Sequence, residues 1–189
     1  MKKIFSLIIV LTMCLSINAC SQDESNSIYI KPSDFSEETT KALEIFNDEL
    51  QFYDIEVDET VKSYLLTIWV YKDGKWQETG KNLGAIEFLA NQIAINLTKN
   101  DVKIFSIYEN GNSTYYSEFE TDFENMKGIM STRIDVEIPI ELNKEILIWV
   151  ITGTKDTSMR AIDITKDFRS IECDAGVAIT LILSDEIAE

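Results

Sequence analysis

The sequence contains no histidine among its 189 residues. Without an imidazole, a Ser-His-Asp triad, a Cys-His pair and a histidine-ligated zinc site are all excluded. The side chain that most often acts as a general base near neutral pH is missing as well. Any catalysis would therefore depend on carboxylates, and any bound metal would be an oxygen-ligated ion such as calcium.

Cysteine is also scarce, with only Cys14, Cys20 and Cys173 in the chain. The first two belong to an apolar amino-terminal segment, so Cys173 would be the one thiol left in an exported domain. A lone cysteine cannot form an intramolecular disulfide, and the fold must then be stabilised by packing. We interpret Cys173 as a small buried residue rather than as a reactive thiol.

Basic residues are few, with 17 lysines and arginines against 33 aspartates and glutamates. Two of those basic residues and no acidic residue precede Cys20, so a chain that begins there has a side-chain charge of −18. Such a charge is unfavourable for nucleic acid and for docking on anionic lipid headgroups, because both need lysine and arginine on phosphates. We interpret it as a solubility feature at a cell surface, with an acidic binding face as the alternative.

The amino terminus combines a basic start, Met1 to Lys3, with the uncharged run IFSLIIVLTMCLSINA at 4–19. A bilayer-spanning helix takes about 20 apolar residues, so this shorter run is typical of the apolar region of a signal peptide. The four residues Ile17-Asn18-Ala19-Cys20 that end it resemble the lipobox of bacterial lipoproteins. An ordinary secretory signal that is cut after Ala19, with Cys20 left as a thiol, is the alternative.

The resemblance to the lipobox implies that the chain is cleaved before Cys20 and that this cysteine is diacylated. Two acyl chains hold a protein stably at a bilayer, whereas a single chain binds only marginally. We therefore expect Cys20 to be the lipid-attachment residue, with palmitate or a similar fatty acid. The protein would then lie on the extracytoplasmic face of the cell membrane.

Three regions are predicted: a signal peptide at 1–19, a lipidated cysteine and tether at 20–35, and a single domain at 36–189. The polar residues 21–33 are interpreted as a flexible tether, with an ordered first strand through Ile28-Tyr29-Ile30 as the alternative. Ser36 before two glutamates predicts a helix N-cap. The apolar spacing that follows predicts an amphipathic helix over about 36–48 that packs its apolar stripe on a sheet.

From residue 51 onward the apolar residues recur with the period of strands. Residues 61–71 and 145–152 are apolar on both faces, which predicts interior strands. Asp73-Gly74 and Asn110-Gly111-Asn112 predict hairpin turns. Residues 134–142 alternate as in a strand, and Pro139 indicates an edge position or a break.

Further strands are predicted at 93–97 and 176–184, and 156–171 is predicted to be a loop with a short helix around 164–168. Because helices do not intervene between the strands, the pattern predicts an antiparallel β-sandwich rather than a βαβ fold. We expect about eight or nine strands and one or two short helices. The stretches DFENMKGIMSTR, EILIWV and CDAG resemble small β-rich lipoproteins of Gram-positive anaerobes, a resemblance that implies this fold and no particular activity.

Two groups of acidic residues are candidates for chemistry. Asp54, Glu56 and Asp58 alternate along one predicted strand with Glu59 beside them, an arrangement that could hold calcium. The glycine-containing loop of calcium sites is missing, so a solvated strand face is the interpretation we prefer. The second group could provide the paired carboxylates of a glycosidase, although such pairs arise by chance in a chain with 33 acids. Its members are Glu118, Glu120, Asp122 and Glu124.

Tryptophan suggests sugar binding, because sugars stack on aromatic faces. Trp69 and Trp149 lie in the middle of predicted strands and are expected in the core. Trp76 follows a hairpin tip and could form an exposed group with Tyr71, Tyr115 and Tyr116, but a cross-strand pair is the interpretation we prefer.

The sequence thus predicts a membrane-anchored extracytoplasmic lipoprotein whose domain is a non-catalytic binding or structural module. A carboxylate-dependent glycan hydrolase and a calcium-assisted carbohydrate-binding module are the alternatives. Beyond Cys20, no catalytic residue, metal ligand or cofactor is predicted. The expected partners are the membrane, through the lipid, and a glycan or another protein.

Overall fold

A computed structural model describes residues 28–46, 49–157 and 161–188. Within these ranges the chain forms eleven strands, one α-helix and four short 3-10 helices. In chain order the strands are β1 (Tyr29–Pro32), β2 (Leu50–Glu56), β3 (Ser63–Lys72), β4 (Lys75–Ala85), β5 (Gln92–Leu97), β6 (Asp101–Tyr108), β7 (Gly111–Glu118), β8 (Gly128–Arg133), β9 (Ile138–Pro139), β10 (Ile146–Thr154) and β11 (Ala175–Ser184). The helix α1 spans Glu37–Leu43, and the 3-10 helices span Glu44–Phe46, Ile86–Phe88, Phe123–Asn125 and Phe168–Ser170.

The strands form two antiparallel sheets, as the periodicity predicts. The six-stranded sheet has the order β7-β6-β5-β2-β1-β9, and the five-stranded sheet has the order β4-β3-β11-β10-β8. One hydrophobic core lies between them and contains fully buried side chains from both sheets. From the six-stranded sheet these include Ile30, Ile93, Ile95 and Leu97, and from the five-stranded sheet Leu66, Ile68, Val177 and Ile179. The fold is a β-sandwich.

The two strands that the sequence predicts to be interior are interior. β3 lies between β4 and β11, and β10 lies between β11 and β8. Both faces of these strands are covered, because one faces the core and the other is packed by a loop. The Asp73-Gly74 turn joins β3 to β4, and both residues have the positive φ that such a turn requires, 55° and 77°.

The hairpin predicted around Asn110 is also confirmed, although Gly111 and Asn112 of the predicted turn already belong to β7. β6 and β7 are joined by a turn at 109–110, and the register runs without interruption from Tyr108 opposite Gly111 to Asp101 opposite Glu118. At the other end of the six-stranded sheet, β9 is a two-residue edge strand that contains Pro139. The prediction that Pro139 marks an edge or a break is therefore confirmed.

Three expectations require correction. The strand predicted over 134–142 is reduced to Ile138–Pro139, because the chain crosses there from the five-stranded to the six-stranded sheet. The structure has eleven strands rather than eight or nine, partly because β8 was not predicted. The interpretation of 21–33 as a flexible tether does not hold at 29–32: β1 pairs with both β2 and β9, so the alternative of an ordered first strand is the correct one.

The amphipathic helix is present but does not pack as predicted. α1 is shorter than 36–48, begins after the N-cap Ser36, and has no buried residue. Ile45, which continues the apolar stripe, is 73% exposed. The contact with the sheet comes instead from Phe35, whose ring lies 5.1 Å edge-on from Phe52 of β2.

The connection between β10 and β11 covers the outer face of the five-stranded sheet. The helix predicted near 164–168 is instead the 3-10 helix at Phe168–Ser170. Phe168 is 3% exposed and packs with Leu147, Val150 and Ala178 in a second, smaller hydrophobic cluster. No helix among the residues described above is both long and apolar enough to cross a membrane.

Candidate functional site

The predicted lipid-attachment residue Cys20 lies outside the residues that the structure describes, together with the rest of 1–27. Its acylation and the signal peptide at 1–19 therefore stay predictions. The other candidate residues all lie within the described ranges, and their positions can be compared with expectation.

The first acidic group does not converge on one point. Asp54 accepts a hydrogen bond from Gln92 Nε2 at 3.0 Å, whereas Glu56 is exposed at the end of β2. Asp58 lies beyond the strand, where hydrogen bonds from Thr60 lower the pKa of its exposed carboxyl group. Within the described ranges, no group of three or more Cys, Asp or Glu side chains is placed to hold a metal ion. The arrangement does not support the calcium alternative.

The second acidic group is divided among separate partners. Glu120 lies 3.7 Å from Lys72, and Asp122 lies 3.7 Å from Lys155. Glu118 accepts a hydrogen bond from the tyrosine two residues before it. These three carboxylates thus have separate partners, and the fourth member, Glu124, is exposed in the 3-10 helix Phe123–Asn125.

The aromatic residues are distributed differently from the expectation. Trp149 is fully buried in the main core, as predicted. Trp69 lies half-buried on the outer face of the five-stranded sheet, and Trp76 forms the predicted cross-strand pair with Tyr71. The alternative of an exposed group of Trp76 with Tyr115 and Tyr116 is wrong, because these two tyrosines lie on β7 of the other sheet.

An aromatic cluster forms on that outer face, and we call Trp69, Tyr71, Trp76 and Phe168 the outer aromatic cluster. The ring centroid of Trp76 lies 5.5 Å from that of Tyr71 and 5.1 Å from that of Phe168. The centroids of Trp69 and Phe168 are 5.7 Å apart. Edge-on and tilted contacts at these distances are favourable for aromatic rings. The cluster fixes the β10–β11 connection on the sheet.

A closed polar network surrounds Trp69. Its indole Nε1 donates to Thr180 Oγ1 at 3.0 Å, and the Thr180 hydroxyl donates to Glu145 Oε1 at 2.8 Å. The Glu145 carboxylate accepts two hydrogen bonds from Arg169, at 2.6 and 3.1 Å. The Arg169 guanidinium in turn contacts Trp69 and lies 4.2 Å from its ring centroid, which closes the network. Each member is therefore held by two others.

This network also affects the pKa of Arg169. Hydrogen bonds to the Glu145 carboxylate raise the pKa of the guanidinium, which stays protonated at every physiological pH. A polar network in which each member contacts two others holds these side chains in one arrangement. The outer aromatic cluster thus has a rigid base.

Cys173 lies at the border of this cluster and is half-buried, which agrees with its interpretation as a packing residue. Burial, and to a smaller degree the charge of Asp174, raises the pKa of its thiol to about 12. A thiol with such a pKa is a poor nucleophile near neutral pH, because the thiolate is the reactive form. The structure therefore describes a structural cysteine.

A cavity of about 670 Å³ lies beside the cluster, between the end of β10 and the connection that follows it. This volume is within the range of small-molecule sites. The lining is mainly polar and includes several acidic side chains and one lysine. These are Asp156, Asp163, Glu172, Asp174 and Lys166.

The cavity carboxylates are exposed and partly engaged. Asp174 accepts a hydrogen bond from the Lys155 amide at 2.7 Å, and Asp163 lies 3.4 Å from Lys166. Hydrogen bonds from Thr165 lower the pKa of Asp163. A general acid of a glycosidase needs a carboxyl group whose pKa is raised by burial, which an exposed carboxylate lacks. The geometry is that of an open polar cavity with an acidic rim.

Comparison with protein-family models, with curated proteins and with solved structures found no match to this chain. The site is therefore interpreted from its own residues.

Sequence reasoning did not find the residues that build this site. Glu145, Arg169 and Thr180 meet across separations of 24 and 35 residues, and no periodicity connects them. One signal was available: Phe168-Arg169 is an aromatic-arginine pair within a polar connection. Such a pair stacks readily on an exposed tryptophan.

Proposed function

We propose that this chain is a lipid-anchored protein of the extracytoplasmic membrane face, and that its β-sandwich is a non-catalytic binding module. The observation that carries the anchor is the lipobox-like Ile17-Asn18-Ala19-Cys20 at the end of an uncharged run. A cysteine at this position is where an acyl anchor would be attached. The high acidic content supports a location at a surface, where solubility is needed.

The absence of histidine and the exposure of the cavity carboxylates support a binding rather than a catalytic role. The cavity lining is mainly polar and offers hydroxyl, carboxylate and amine groups, such as those of Ser170, Asp163 and Lys166, that can hydrogen-bond the hydroxyl groups of a glycan. The ligand class that we propose is therefore a glycan, free or as part of the cell envelope.

The anchor is tested by metabolic palmitate labelling and membrane fractionation of the full chain in a bacterial host. Cys20→Ala should abolish labelling and release the domain from the membrane. Cys14→Ala is the matched control, because it removes a cysteine from the segment that is cleaved and should change neither result. Unlabelled and freely soluble wild-type protein would refute the anchor.

The binding role is tested on an array of glycans and cell-wall fragments. Ala161 is exposed and lines the cavity, so Ala161→Trp should fill part of the cavity and weaken binding. Ala42→Trp adds the same bulk to the exposed helix α1 and should bind like the wild type. If the wild type binds no member of the array, the glycan proposal fails, whatever the labelling result.

A further inference from the structure

The strand β7 forms an open edge of the six-stranded sheet, and its backbone shows which groups are free. The two-residue turn closes with Tyr108 opposite Gly111, and such a closing pair is hydrogen-bonded across the hairpin. Bonded pairs then recur at every second residue. The amide of Phe119, one residue after the strand, donates to the Asn100 carbonyl at 2.9 Å, which confirms that the odd-numbered residues face β6.

The even-numbered residues of β7 therefore direct their N–H and C=O groups away from the sheet. These residues are Asn112, Thr114, Tyr116 and Glu118. Among the residues that the structure describes, no backbone or side-chain group bonds to these outward amides and carbonyls. Unpaired strand groups of this kind are a template for a further strand.

The other three edges carry the features by which proteins prevent strand addition. β9 has only two residues, one of which is a proline. β4 contains two lysines, and its pairing with β3 has a register shift between Ile68 and Trp69. β8 has six residues and ends in an arginine. Charged side chains, bulges, prolines and shortness all protect an edge. β7 has eight residues, a continuous register, and neither lysine, arginine nor proline.

β7 is also held in place from the inside of the sandwich. Tyr115 turns toward β4, where a Cβ at position 80 would lie 2.6 Å from its hydroxyl oxygen. Gly80 therefore allows the two strands to pack closely. An edge strand fixed in this way has little conformational entropy to lose when another strand pairs with it.

We propose that β7 pairs antiparallel with β7 of a second copy of this chain, so that two six-stranded sheets join across a twofold axis at Tyr115. In this arrangement the core-facing sides of the two sheets lie on the same side of the joined sheet. This requires that the even-numbered residues of one β7 lie opposite the even-numbered residues of the other. Asn112 would face Glu118 of the partner subunit, and Thr114 would face Tyr116 of the partner subunit. This register uses all four outward residues and forms about eight hydrogen bonds, two per pair.

The side chains of β7 are complementary in that register. Glu118 is the one charged residue of the strand, and it meets an asparagine amide that can donate to its carboxylate. No like charges face each other across the axis. Tyr116, which is 49% exposed, meets a threonine, a favourable cross-strand neighbour. The side chains of an unrelated strand would not be matched to those of β7 in this way. We therefore infer that the occupant is a second copy of this chain.

The test is sedimentation of the full chain in density-matched detergent at about 1 to 100 μM. The solution contains about 0.3 M salt, which screens the charge of −16 on each copy. We expect a reversible dimer. Asn112→Glu places two carboxylates opposite each other at two symmetric positions and should raise the dissociation constant about tenfold. Adding Glu118→Lys should restore the wild-type value within about threefold, because the new pair is of opposite charge.

Ala42→Glu is the matched control, since it adds the same charge to the exposed helix α1, away from β7, and should leave the dimer unchanged. Thr114→Pro removes an outward N–H without breaking the β6 ladder and should raise the dissociation constant at least about thirtyfold. Circular dichroism confirms that each variant is folded. A monomer at every concentration, a β7 edge occupied by a different chain, or a dimer that Thr114→Pro and Asn112→Glu leave intact overturns the proposal.

Discussion

The two faces of the five-stranded sheet bury tryptophan in different ways. On the inner face, Trp149 is fully buried by the opposite sheet, and its Nε1 donates to Ser131 at 2.8 Å. On the outer face, Trp69 is covered by one loop, through Phe168 and Arg169. The inner face is buried by many long-range neighbours, whereas the outer face depends on a few side chains. A single substitution can therefore disrupt the packing of the loop on the outer face while the sandwich stays folded.

The largest effect is expected at Trp149. Trp149→Ala should reduce the free energy of unfolding by about 3 to 5 kcal/mol, because it leaves a large cavity in a rigid core. Chemical denaturation followed by circular dichroism measures the change. The matched control is Leu83→Ala on β4, where the side chain is 50% exposed and the loss should be below about 1 kcal/mol. A loss at Trp149 below about 2 kcal/mol would contradict its place at the centre of the core.

A smaller effect is expected at Phe168, which holds the loop on the outer face. Phe168→Ala should cost about 3 kcal/mol and should also detach the loop, which exposes Trp69 and shifts the tryptophan fluorescence to longer wavelength. Phe88→Ala, at a side chain that is 60% exposed, is the control and should change neither quantity appreciably. If Phe168→Ala unfolds the sandwich together with the loop, the two faces are not independent.

The polar network contributes less than the aromatic contacts. Arg169→Gln and Glu145→Gln should each cost about 1 kcal/mol, since both side chains keep solvent contact, with 36% and 24% of their surface exposed. The double variant should cost less than the sum of the two, with a coupling energy of about 1 kcal/mol. A double-mutant cycle in chemical denaturation measures this coupling, and strictly additive values would show that the contact between Arg169 and Glu145 contributes nothing to stability.

The fold class could be predicted because strands have a two-residue period that is independent of tertiary context. The Asp73-Gly74 turn was equally local, since positive φ is a property of these two residues. β8 was missed because GIMSTR has a glycine and no clean alternation. The strand over 134–142 was overpredicted because alternation says nothing about where a chain crosses between sheets.

The helix and the outer site show where local patterns fail. An apolar stripe on α1 predicts a helix but does not provide a partner, and the ring contact with the sheet comes from Phe35, which precedes the helix. The polar network joins residues from two strands and a connection, so it exists only after the sheet has formed. Sequence patterns therefore predicted the layers of this protein and not the contacts between distant segments that build its site.

The smallest effect concerns Cys173, at the border of the outer face. Its thiol ionises near pH 9 when unfolded and at about 12 when folded, so the folded state holds the proton more tightly between these values. Stability should be unaffected by this group below pH 9 and should fall above it, by less than about 1 kcal/mol at pH 10, because the thiol is partly exposed. Cys173→Ser should remove this component from a series of denaturation curves at rising pH.

In the wild type, alkylation of Cys173 at pH 8 should be much slower in the folded than in the unfolded chain, and Phe168→Ala should accelerate it by loosening the loop. Equal rates for folded and unfolded protein would show that the outer face does not bury this side chain.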